Sequence, residues 1–288
     1  MRRGLLLLCS TVILFASPTF ADTYTLIRSW PVSGRAIAVS ADAVYVVGSS
    51  VQKFSLDGAS LGGWSSQGTA IATDSQGNLY VADHSMIRKY DPDGTPLAQF
   101  LTNLVVQFIA IDRGGHIAIA GYEVFYEAQL IELDSAGLEL SRLVTYDTDW
   151  RGLAASSDGF CTIQYYDGDS PPRVSVRCPG KVIGLIPTCL DKEMPAYSEP
   201  HGLAIGSGPS GDNCFVPDAC DATVREYSAR GNVAEWSIGT DPVNIAVDSS
   251  GNVYVLGGFG VQKFSPSSPT PTKSGTWGEI KTRWNHLR

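Results

Sequence analysis

The sequence predicts an all-β fold of six repeated units. A short apolar phrase with a central alanine recurs along the chain, and successive alanines stand about 34 to 50 residues apart. The alanines are Ala38, Ala72, Ala110, Ala154, Ala204 and Ala246. The composition, with 30 glycines and only 17% charged residues, is typical of short strands joined by tight turns. A four-stranded propeller blade needs about this many residues, so we predict a six-bladed β-propeller.

The second repeat illustrates the four strands expected in each blade. The innermost strand spans 70–73, and the segment 74–78 supplies Gly and Asn, which accept the positive φ of a tight turn. The second and third strands follow as far as Tyr90, and the third alternates apolar with polar residues, as a half-buried strand does. The fourth strand carries two apolar residues three positions apart, here Leu97 and Phe100.

The sixth repeat lacks a fourth strand of its own. After Phe264 the chain enters the segment 265–269, whose prolines cannot donate the hydrogen bonds of a strand ladder. The missing pattern occurs at the other end of the chain, where Ile27 and Trp30 stand three apart. We therefore predict that the N-terminal strand is the outer strand of the last blade. It would close the ring and remove an open edge.

The chain begins with the pattern of an export signal. Arg2 and Arg3 precede an apolar run, and small residues ending at Ala21 form a cleavage site. A transmembrane anchor is the alternative, but the run is shorter than the roughly 20 apolar residues that span a bilayer. We predict a signal peptide at 1–21 and the propeller at 22–266. The protein is then secreted or periplasmic and has no integral membrane span.

Residues 267–288 form a third region with a different composition. A Pro/Ser/Thr linker leads into a short basic segment, in which apolar residues recur at helical spacing. These apolar residues are Trp277, Ile280, Trp284 and Leu287. The amphipathic segment could dock on the propeller, on a partner or on a surface. The alternative is a frayed tail, because an isolated helix of under about 15 residues is marginal.

Two repeats share a longer phrase that points to a family. The stretches 71–90 and 245–264 both contain Ile-Ala-x-Asp-Ser-x-Gly-Asn-x-Tyr-Val and end in Lys-Tyr or Lys-Phe. This phrase resembles the repeats of NHL-type propellers, and the resemblance implies a six-bladed propeller. Such propellers include protein-binding and sensor domains as well as lyases and lactonases. The resemblance therefore does not select a function.

Charge and motifs exclude several classes of function. The formal net charge of −8 disfavours nucleic-acid binding, because no basic face offsets the repulsion of phosphates. The histidines fall at different levels of the repeats, so we expect neither a metal site nor a cofactor. They are His84, His116, His201 and His286. No catalytic constellation is visible, and the calcium-like segment 91–94 is predicted to be a hairpin turn.

The strongest candidates for ligand binding lie where the chain enters the innermost strands. Aligning the repeats brings Arg35, Gln107, Arg151 and His201 to the mouth of the central channel, and the same position holds Thr69 and Val243 in the other two repeats. They could donate hydrogen bonds to a carboxylate or a sugar. The alternative role for the arginines is ordinary salt bridging between blades with loop carboxylates such as Asp149 or Asp241.

The longest connections belong to blades three to five and carry several tyrosines. These are Tyr122, Tyr126, Tyr165 and Tyr166. Long loops grouped on one side of a rigid scaffold are where binding usually resides. We therefore predict a binding module whose blade three to five loops contact a protein or a glycan. The alternative is a lyase or a lactonase-like hydrolase acting at the channel mouth.

Five cysteines remain after the predicted cleavage. Cys161 and Cys178 fall at facing ends of an expected hairpin in blade four, so we predict that they are bonded to each other. Cys189 and Cys220 lie in loops on one face and form the second predicted pair. Cys214, at the start of a strand, is then left over as a buried thiol.

Overall fold

A computed structural model describes residues 24–123, 127–146, 148–166, 173–179, 181–186, 202–208, 211–228 and 231–267. Every regular element in these ranges is a β-strand, and the strands form six four-stranded antiparallel sheets. The predicted all-β, six-bladed propeller is therefore confirmed. The predicted signal peptide and most of the predicted tail lie outside the described residues. Within the described ranges, no helix is long and apolar enough to cross a membrane.

Each of the first three blades is built from four strands consecutive in sequence. Blade one comprises β2 (Ala36–Val39), β3 (Ala43–Val47), β4 (Val51–Ser55) and β5 (Ser60–Trp64). Blade two comprises β6 (Ala70–Thr73), β7 (Leu79–Asp83), β8 (Met86–Tyr90) and β9 (Pro96–Leu101). Blade three comprises β10 (Val105–Ile111), β11 (Ile117–Tyr122), β12 (Ala128–Leu133) and β13 (Glu139–Thr145).

The last three blades include the one sheet that combines the two ends of the chain. Blade four comprises β14 (Thr148–Ser156), β15 (Gly159–Tyr166), β16 (Arg173–Cys178) and β17 (Lys181–Ile186). Blade five comprises β18 (Ala204–Gly208), β19 (Gly211–Asp218), β20 (Thr223–Ser228) and β21 (Gly231–Ser237). Blade six comprises β22 (Pro242–Val247), β23 (Val253–Gly257), β24 (Gly260–Pro266) and β1 (Tyr24–Trp30).

The N-terminal strand is the outer strand of blade six. β1 pairs antiparallel with β24, from Tyr24 opposite Pro266 to Trp30 opposite Val261. The innermost strands contact one another in chain order around the ring, and β2 of blade one also contacts β22 of blade six. Blades six and one are thus neighbours, as blades one and two are.

Two faces of the ring follow from the strand directions. The loop face carries the connections between blades and those between second and third strands. The turn face carries the turns between first and second strands and between third and fourth strands. The loop face is where the chain enters each innermost strand, so the mouth of the channel predicted from the repeats lies on it.

The turns of the turn face are held by their own carboxylates. In blade two, Oδ1 of Asp74 accepts the backbone N–H groups of Gln76 at 3.0 Å and Asn78 at 2.9 Å. Its Oδ2 accepts the Asn78 side-chain amide at 2.8 Å. Burial alone would raise the pKa of Asp74, but these hydrogen bonds lower it below its ordinary value. Asp91 makes the equivalent backbone bonds to Asp93 and Thr95, which agrees with a hairpin turn at 91–94.

An aromatic side chain from the outer strand packs against a glycine of the next blade. Trp30 contacts Gly58, and Trp64 contacts Gly94. A Cβ added to Gly94 would lie 2.6 Å from the Trp64 ring, so only glycine leaves room for this contact. In blade one the other member of the predicted apolar pair points outward, since Leu61 is 54% exposed.

The cysteines agree with the sequence prediction where the structure describes them. Cys161 and Cys178 form a disulfide, with their Cα atoms 4.1 Å apart. Cys214 is fully buried, as predicted, in an apolar cluster with residues of blade four. Cys220 is disulfide-bonded. Cys189, its predicted partner, lies outside the described residues, so that pairing stays a prediction.

Candidate functional site

The central channel is narrow where the structure describes it. It encloses a cavity of 80 Å³, to which all six blades contribute. Apolar lining residues include Ile37, Ile71, Ile109, Leu153, Leu203 and Ile245. Sites for small organic ligands usually measure about 300 to 1,000 Å³. A ligand of that size does not fit within this cavity.

Three of the residues aligned at the channel mouth are β-bulge residues. The register shifts around Gln107 in β10, around Arg151 in β14 and around Val243 in β22. A bulge leaves one residue out of the ladder and re-aims its side chain, and bulges are frequent beside functional sites. Sequence alignment therefore identified equivalent positions, although it did not indicate that the strands are interrupted there.

Arg35 and Gln107 present their side chains to solvent at the loop face. The backbone N–H of Arg35 donates to Val47 O at 2.7 Å and fixes the start of the innermost strand. Its guanidinium is exposed and makes no ion pair with any residue in the described ranges. Gln107 is also exposed, and it lines the channel. Both side chains are available to a ligand.

Arg151 is in a different position. Its Nη2 lies 2.9 Å from Oδ2 of Asp149, and its guanidinium lies 5.5 Å from the ring centroid of Tyr165. Only 18% of the Arg151 side chain is exposed. Asp149 and Tyr165 are paired across β14 and β15, so all three residues belong to blade four. The ion pair proposed as the alternative role of this arginine is present, within a blade and not between blades.

The remaining predicted residues are only partly described. Tyr122 is half-buried at the end of β11, opposite Val105 and Ala128. Tyr166 ends β15, but its side chain is not described. Tyr126 and His201 lie outside the described residues.

The structure identifies exposed apolar residues on the loop face that the sequence analysis missed. Tyr146, between β13 and β14, is 76% exposed, and Phe259, between β23 and β24, is 70% exposed. Val243, which the repeat alignment had already brought to the channel mouth, is 40% exposed at its bulge. A signal was present for Phe259, because an aromatic residue between two glycines in a hairpin turn has no neighbours to bury it.

The two described histidines lie on opposite faces. Nδ1 of His84 lies 2.8 Å from Asp83 in the β7–β8 connection of the loop face. Nδ1 of His116 lies 2.8 Å from Asp112 in a turn of the turn face. These two side chains cannot share one metal ion, since ligand atoms must converge within a few ångströms of it.

A larger cavity of 690 Å³ lies on the turn face, beside blades six, one and two. Four of its five charged lining residues have partners in the fold, and the fifth is Asp42. Lys53 donates to the carbonyl oxygen of Pro92 at 2.7 Å and to Asp93 at 3.2 Å. Asp74 and Asp248 are bonded within their own turns. We interpret this cavity as a groove between structural turns.

Arg225 is the centre of a buried charge cluster in blade five. Its guanidinium bonds Asp218, Asp221 at 2.9 Å and Glu235 at 2.9 Å, and its side chain is only 7% exposed. Burial by itself lowers the pKa of an arginine, but here Asp218 and Glu235 raise the pKa of Arg225 above its ordinary value. The cluster joins the ends of three strands beneath the loop face.

Comparison with known proteins gives the fold and no family. No family model matches the sequence, and no curated protein does. Among solved structures, a chain of the mitotic checkpoint complex matches with a TM-score of 0.61 at 14% identity, covering 92% of this chain and 99% of that one.

Two further structures match equally broadly. A chain of the hydrazine synthase of Kuenenia stuttgartiensis matches with a TM-score of 0.58 at 14% identity, covering 85% of this chain and 98% of that one. Streptogramin B lyase matches with a TM-score of 0.58 at 12% identity, with the same coverage of 85% and 98%. At such identities the likeness concerns the propeller fold alone.

Proposed function

We propose that the protein is an exported binding module that holds a protein or glycan ligand across its loop face. The observation that carries this proposal is the exposure of Tyr146, Phe259 and Arg35 on the face around a channel of only 80 Å³. A macromolecular ligand needs no deep pocket. Exposed aromatic side chains and arginine are the residue types that contribute most to such contacts.

The proposed surface also includes the connections after the second strands of blades three to five. These connections carry Tyr122, Tyr126 and Tyr166, and the approach to blade five carries His201. The apolar side chains of Phe259 and Val243 favour a protein ligand over a glycan, because a glycan presents few apolar groups. The ring supplies a rigid base for both kinds of residue.

Export and family membership are parts of the same proposal. The disulfide between Cys161 and Cys178 supports export, since disulfides persist in oxidising compartments. The Asp-Ser-x-Gly-Asn turns at 74–78 and 248–252 support an NHL-type origin of the repeats. The segment 267–288 would then dock on a partner or a surface.

The second candidate is an enzyme acting at the channel mouth, such as a lyase or a lactonase-like hydrolase. Streptogramin B lyase shares the fold, and Arg35, Arg151 and His201 would bind and polarise the substrate. The engagement of Arg151 by Asp149 and the small channel volume favour binding over catalysis. A stoichiometric divalent ion in the purified protein, measured by elemental analysis, would favour the enzyme instead.

A peptide array and a glycan array, read with the purified protein, test the proposal. Hits are then titrated against Phe259→Ala and Arg35→Ala, which should each weaken binding at least tenfold, equivalent to about 1.4 kcal/mol. Leu138→Ala is the matched control, because Leu138 is 68% exposed on the opposite, turn face. If Leu138→Ala weakens binding as much as Phe259→Ala does, the loop face is not the binding surface.

A further inference from the structure

The cavity on the turn face, which we call the turn-face groove, has an apolar wall and an acidic rim. It measures 690 Å³ and lies beside blades six, one and two. Its apolar lining includes Pro92 and Leu61, and Leu61 is 54% exposed. Its volume lies within the range of about 300 to 1,000 Å³ that suits pockets for small ligands, so it has room for large side chains. Four of its five charged lining residues are carboxylates, and these five are Asp42, Lys53, Asp74, Asp93 and Asp248.

Asp42 is the carboxylate of the groove that the fold leaves open to a new partner. Its backbone N–H donates to Oγ of Ser40 at 3.3 Å, which holds the turn between β2 and β3. The residue is exposed, and its carboxylate forms no hydrogen bond or ion pair with the part of the chain that the structure describes. The other three carboxylates are bonded within their own turns or to Lys53. A cationic side chain that enters the groove would therefore pair with Asp42.

The chain leaves the ring beside this groove. β24 ends at Pro266 on the turn face of blade six, and Oγ of Ser267 lies 2.9 Å from Oγ1 of Thr25 in β1. A Cβ added to Gly251 would lie 3.9 Å from the ring of Pro266, so Pro266 borders the turn 248–252. The first residues of that turn line the groove. Since β24 and β22 are two strand spacings apart, the chain continues from a point roughly 10 Å from the groove.

The segment that follows matches the groove in charge and in hydrophobicity. Glu279 is its single acidic residue, and its basic residues are Lys273, Lys281, Arg283 and Arg288. Its apolar stripe, which begins at Trp277, has the helical spacing described above. Trp277 follows Ser267 by ten residues, and an extended chain of that length spans at most about 33 Å. Because this reach exceeds the distance to the groove, Trp277 can enter it.

We propose that the segment 273–288 docks in the turn-face groove of its own chain. Its apolar stripe packs on the wall that includes Leu61, and its basic side chains lie over Asp42. This inference rests on the part of the proposed function in which the segment docks on a surface, and it names that surface.

Docking of the segment has two consequences for the ring. The segment contacts turns of blades six, one and two, so it bridges the place where β1 closes the ring. The chain then fills its own groove on the turn face, and the loop face stays open to the proposed ligand.

Trypsin digestion of the purified full chain tests the docking. The protease cuts after Lys281 and Arg283, and mass spectrometry follows the release of the peptide 284–288. Trp277→Ala should release this peptide at least tenfold faster than wild type, because cleavage tracks the fraction of the chain that is undocked. Alanine has the higher helix propensity, so the loss of a local helix would not explain faster cleavage. Equal rates in wild type and Trp277→Ala would overturn the proposal.

A matched pair of variants locates the docking surface. Asp42→Lys places a cation in the groove and should accelerate release at least threefold. Asp158→Lys is the control, because Asp158 is equally exposed in the equivalent turn of blade four, three blades away. Its backbone N–H donates to Oγ of Ser156 at 3.3 Å, just as that of Asp42 donates to Ser40. If both variants accelerate release equally, or neither does, the segment does not dock in this groove.

Dilution distinguishes the segment of the same chain from that of a second copy. At a fixed trypsin concentration, the rate constant for release from wild type should not change when the protein is diluted tenfold, since groove and segment belong to one chain. Faster release on dilution would show that a second copy supplies the segment, and it would overturn the proposal. None of these measurements uses a loop-face ligand, so their failure would leave the array experiments on that face unaffected.

Discussion

Blades six, one and two differ from blades four and five in how neighbouring blades are joined. In the first group the same contact recurs, since Trp30 packs on Gly58 and Trp64 packs on Gly94. A lysine reinforces it, as Lys53 bonds the backbone carbonyl of Pro92 at 2.7 Å. Two of these blades, two and six, also retain the repeat phrase most completely.

Blade two shows how the recurring lysine contact depends on its partner. Lys53 lies 3.2 Å from Asp93 of the next blade, and Lys263 lies 3.3 Å from Asp57 of the next blade. Blade three has Ala136 at the corresponding turn position. Lys89 of blade two instead lies 3.4 Å from Asp74 of its own blade. The lysine is kept although its partner has changed.

Blades four and five are held by other means. Blade four has the Cys161–Cys178 disulfide, and blade five has the buried cluster around Arg225. The repeat phrase is eroded in the same part of the ring. The comparison indicates that the repeat phrase specifies one particular kind of contact between neighbouring blades. Where a covalent bond and buried charges stabilise the sheet, those residues are free to change.

The largest expected effect is the loss of the buried cation in blade five. Arg225→Met leaves Asp218 buried without its partner, which should cost about 3 to 5 kcal/mol in the free energy of unfolding. The control is Arg88→Met, since the Arg88 side chain is 33% exposed and lies 4.0 Å from Asp83, which keeps Gln67 and His84 as hydrogen-bond partners. That variant should cost about 0 to 1 kcal/mol. Urea denaturation measures both, and equal losses would show that burial of the charge is not what matters.

The next effect concerns the blade-four disulfide. Its cysteines are 17 residues apart, and closing a loop of about that length stabilises a protein by roughly 3 kcal/mol. The double variant Cys161→Ala/Cys178→Ala should lose about that much in thermal or urea unfolding. Cys214→Ala keeps this disulfide and serves as the control. A double variant as stable as the control would mean that packing alone holds blade four.

The glycine contact of blades one and two gives a smaller, sharper test. Gly94 and Gly77 have similar positive φ values of +90° and +82°. Alanine at either position carries a left-handed penalty of about 1 to 2 kcal/mol. Only Gly94→Ala also clashes with Trp64, which should add about 1 to 3 kcal/mol. If Gly94→Ala and Gly77→Ala unfold at the same denaturant concentration, the contact with Trp64 does not exclude a side chain at position 94.

The smallest effect is a pH dependence in blade three, where His116 replaces the asparagine of the turn. The hydrogen bond to Asp112 raises the pKa of His116 above its ordinary value of 6.5. The stability that this hydrogen bond adds to the folded protein is therefore complete below about pH 6.5. It is lost as the pH rises through the pKa that His116 has in the folded protein. His116→Asn restores the blade-two form and should remove this dependence. Denaturation midpoints measured at about pH 5.5 and about pH 8 test this prediction. If the midpoint of His116→Asn changes with pH as much as that of the wild type, the bond between His116 and Asp112 is not the cause of the dependence.

The sequence predicted the regular blades well because their turns and strands carry local signals. Asp74 and Asn78 specify a turn by themselves, and the 161–178 pairing follows from a hairpin. β20, as the third strand of its blade, was expected to be half-buried like its counterpart in blade two. In the structure all six of its residues are buried, because charges from neighbouring strands enclose Arg225. Ion pairs between residues on different strands cannot be recognised from the local sequence pattern of one strand.

The candidate site was predicted less completely, for the same reason. The repeat alignment located Arg35 and Gln107, since each occupies a fixed position before an innermost strand. It did not distinguish exposed Arg35 from Arg151, which is held by Asp149. Tyr146 and Phe259 were missed because their exposure depends on how far each connection extends beyond the ring. Sequence spacing predicts at which end of a strand a residue lies, but it does not predict which side chains surround that residue.

The pairing of β1 with β24 also has a consequence for the order of events during folding. β1 precedes the other described strands in the chain, and it cannot pair until its partner at 260–266 has been synthesised. Until then the outer ladder of β1 is unpaired. Closing a loop that contains all the other strands carries the largest chain-entropy cost in the molecule, so it should be the slowest step. The ring therefore becomes complete only after synthesis passes residue 266.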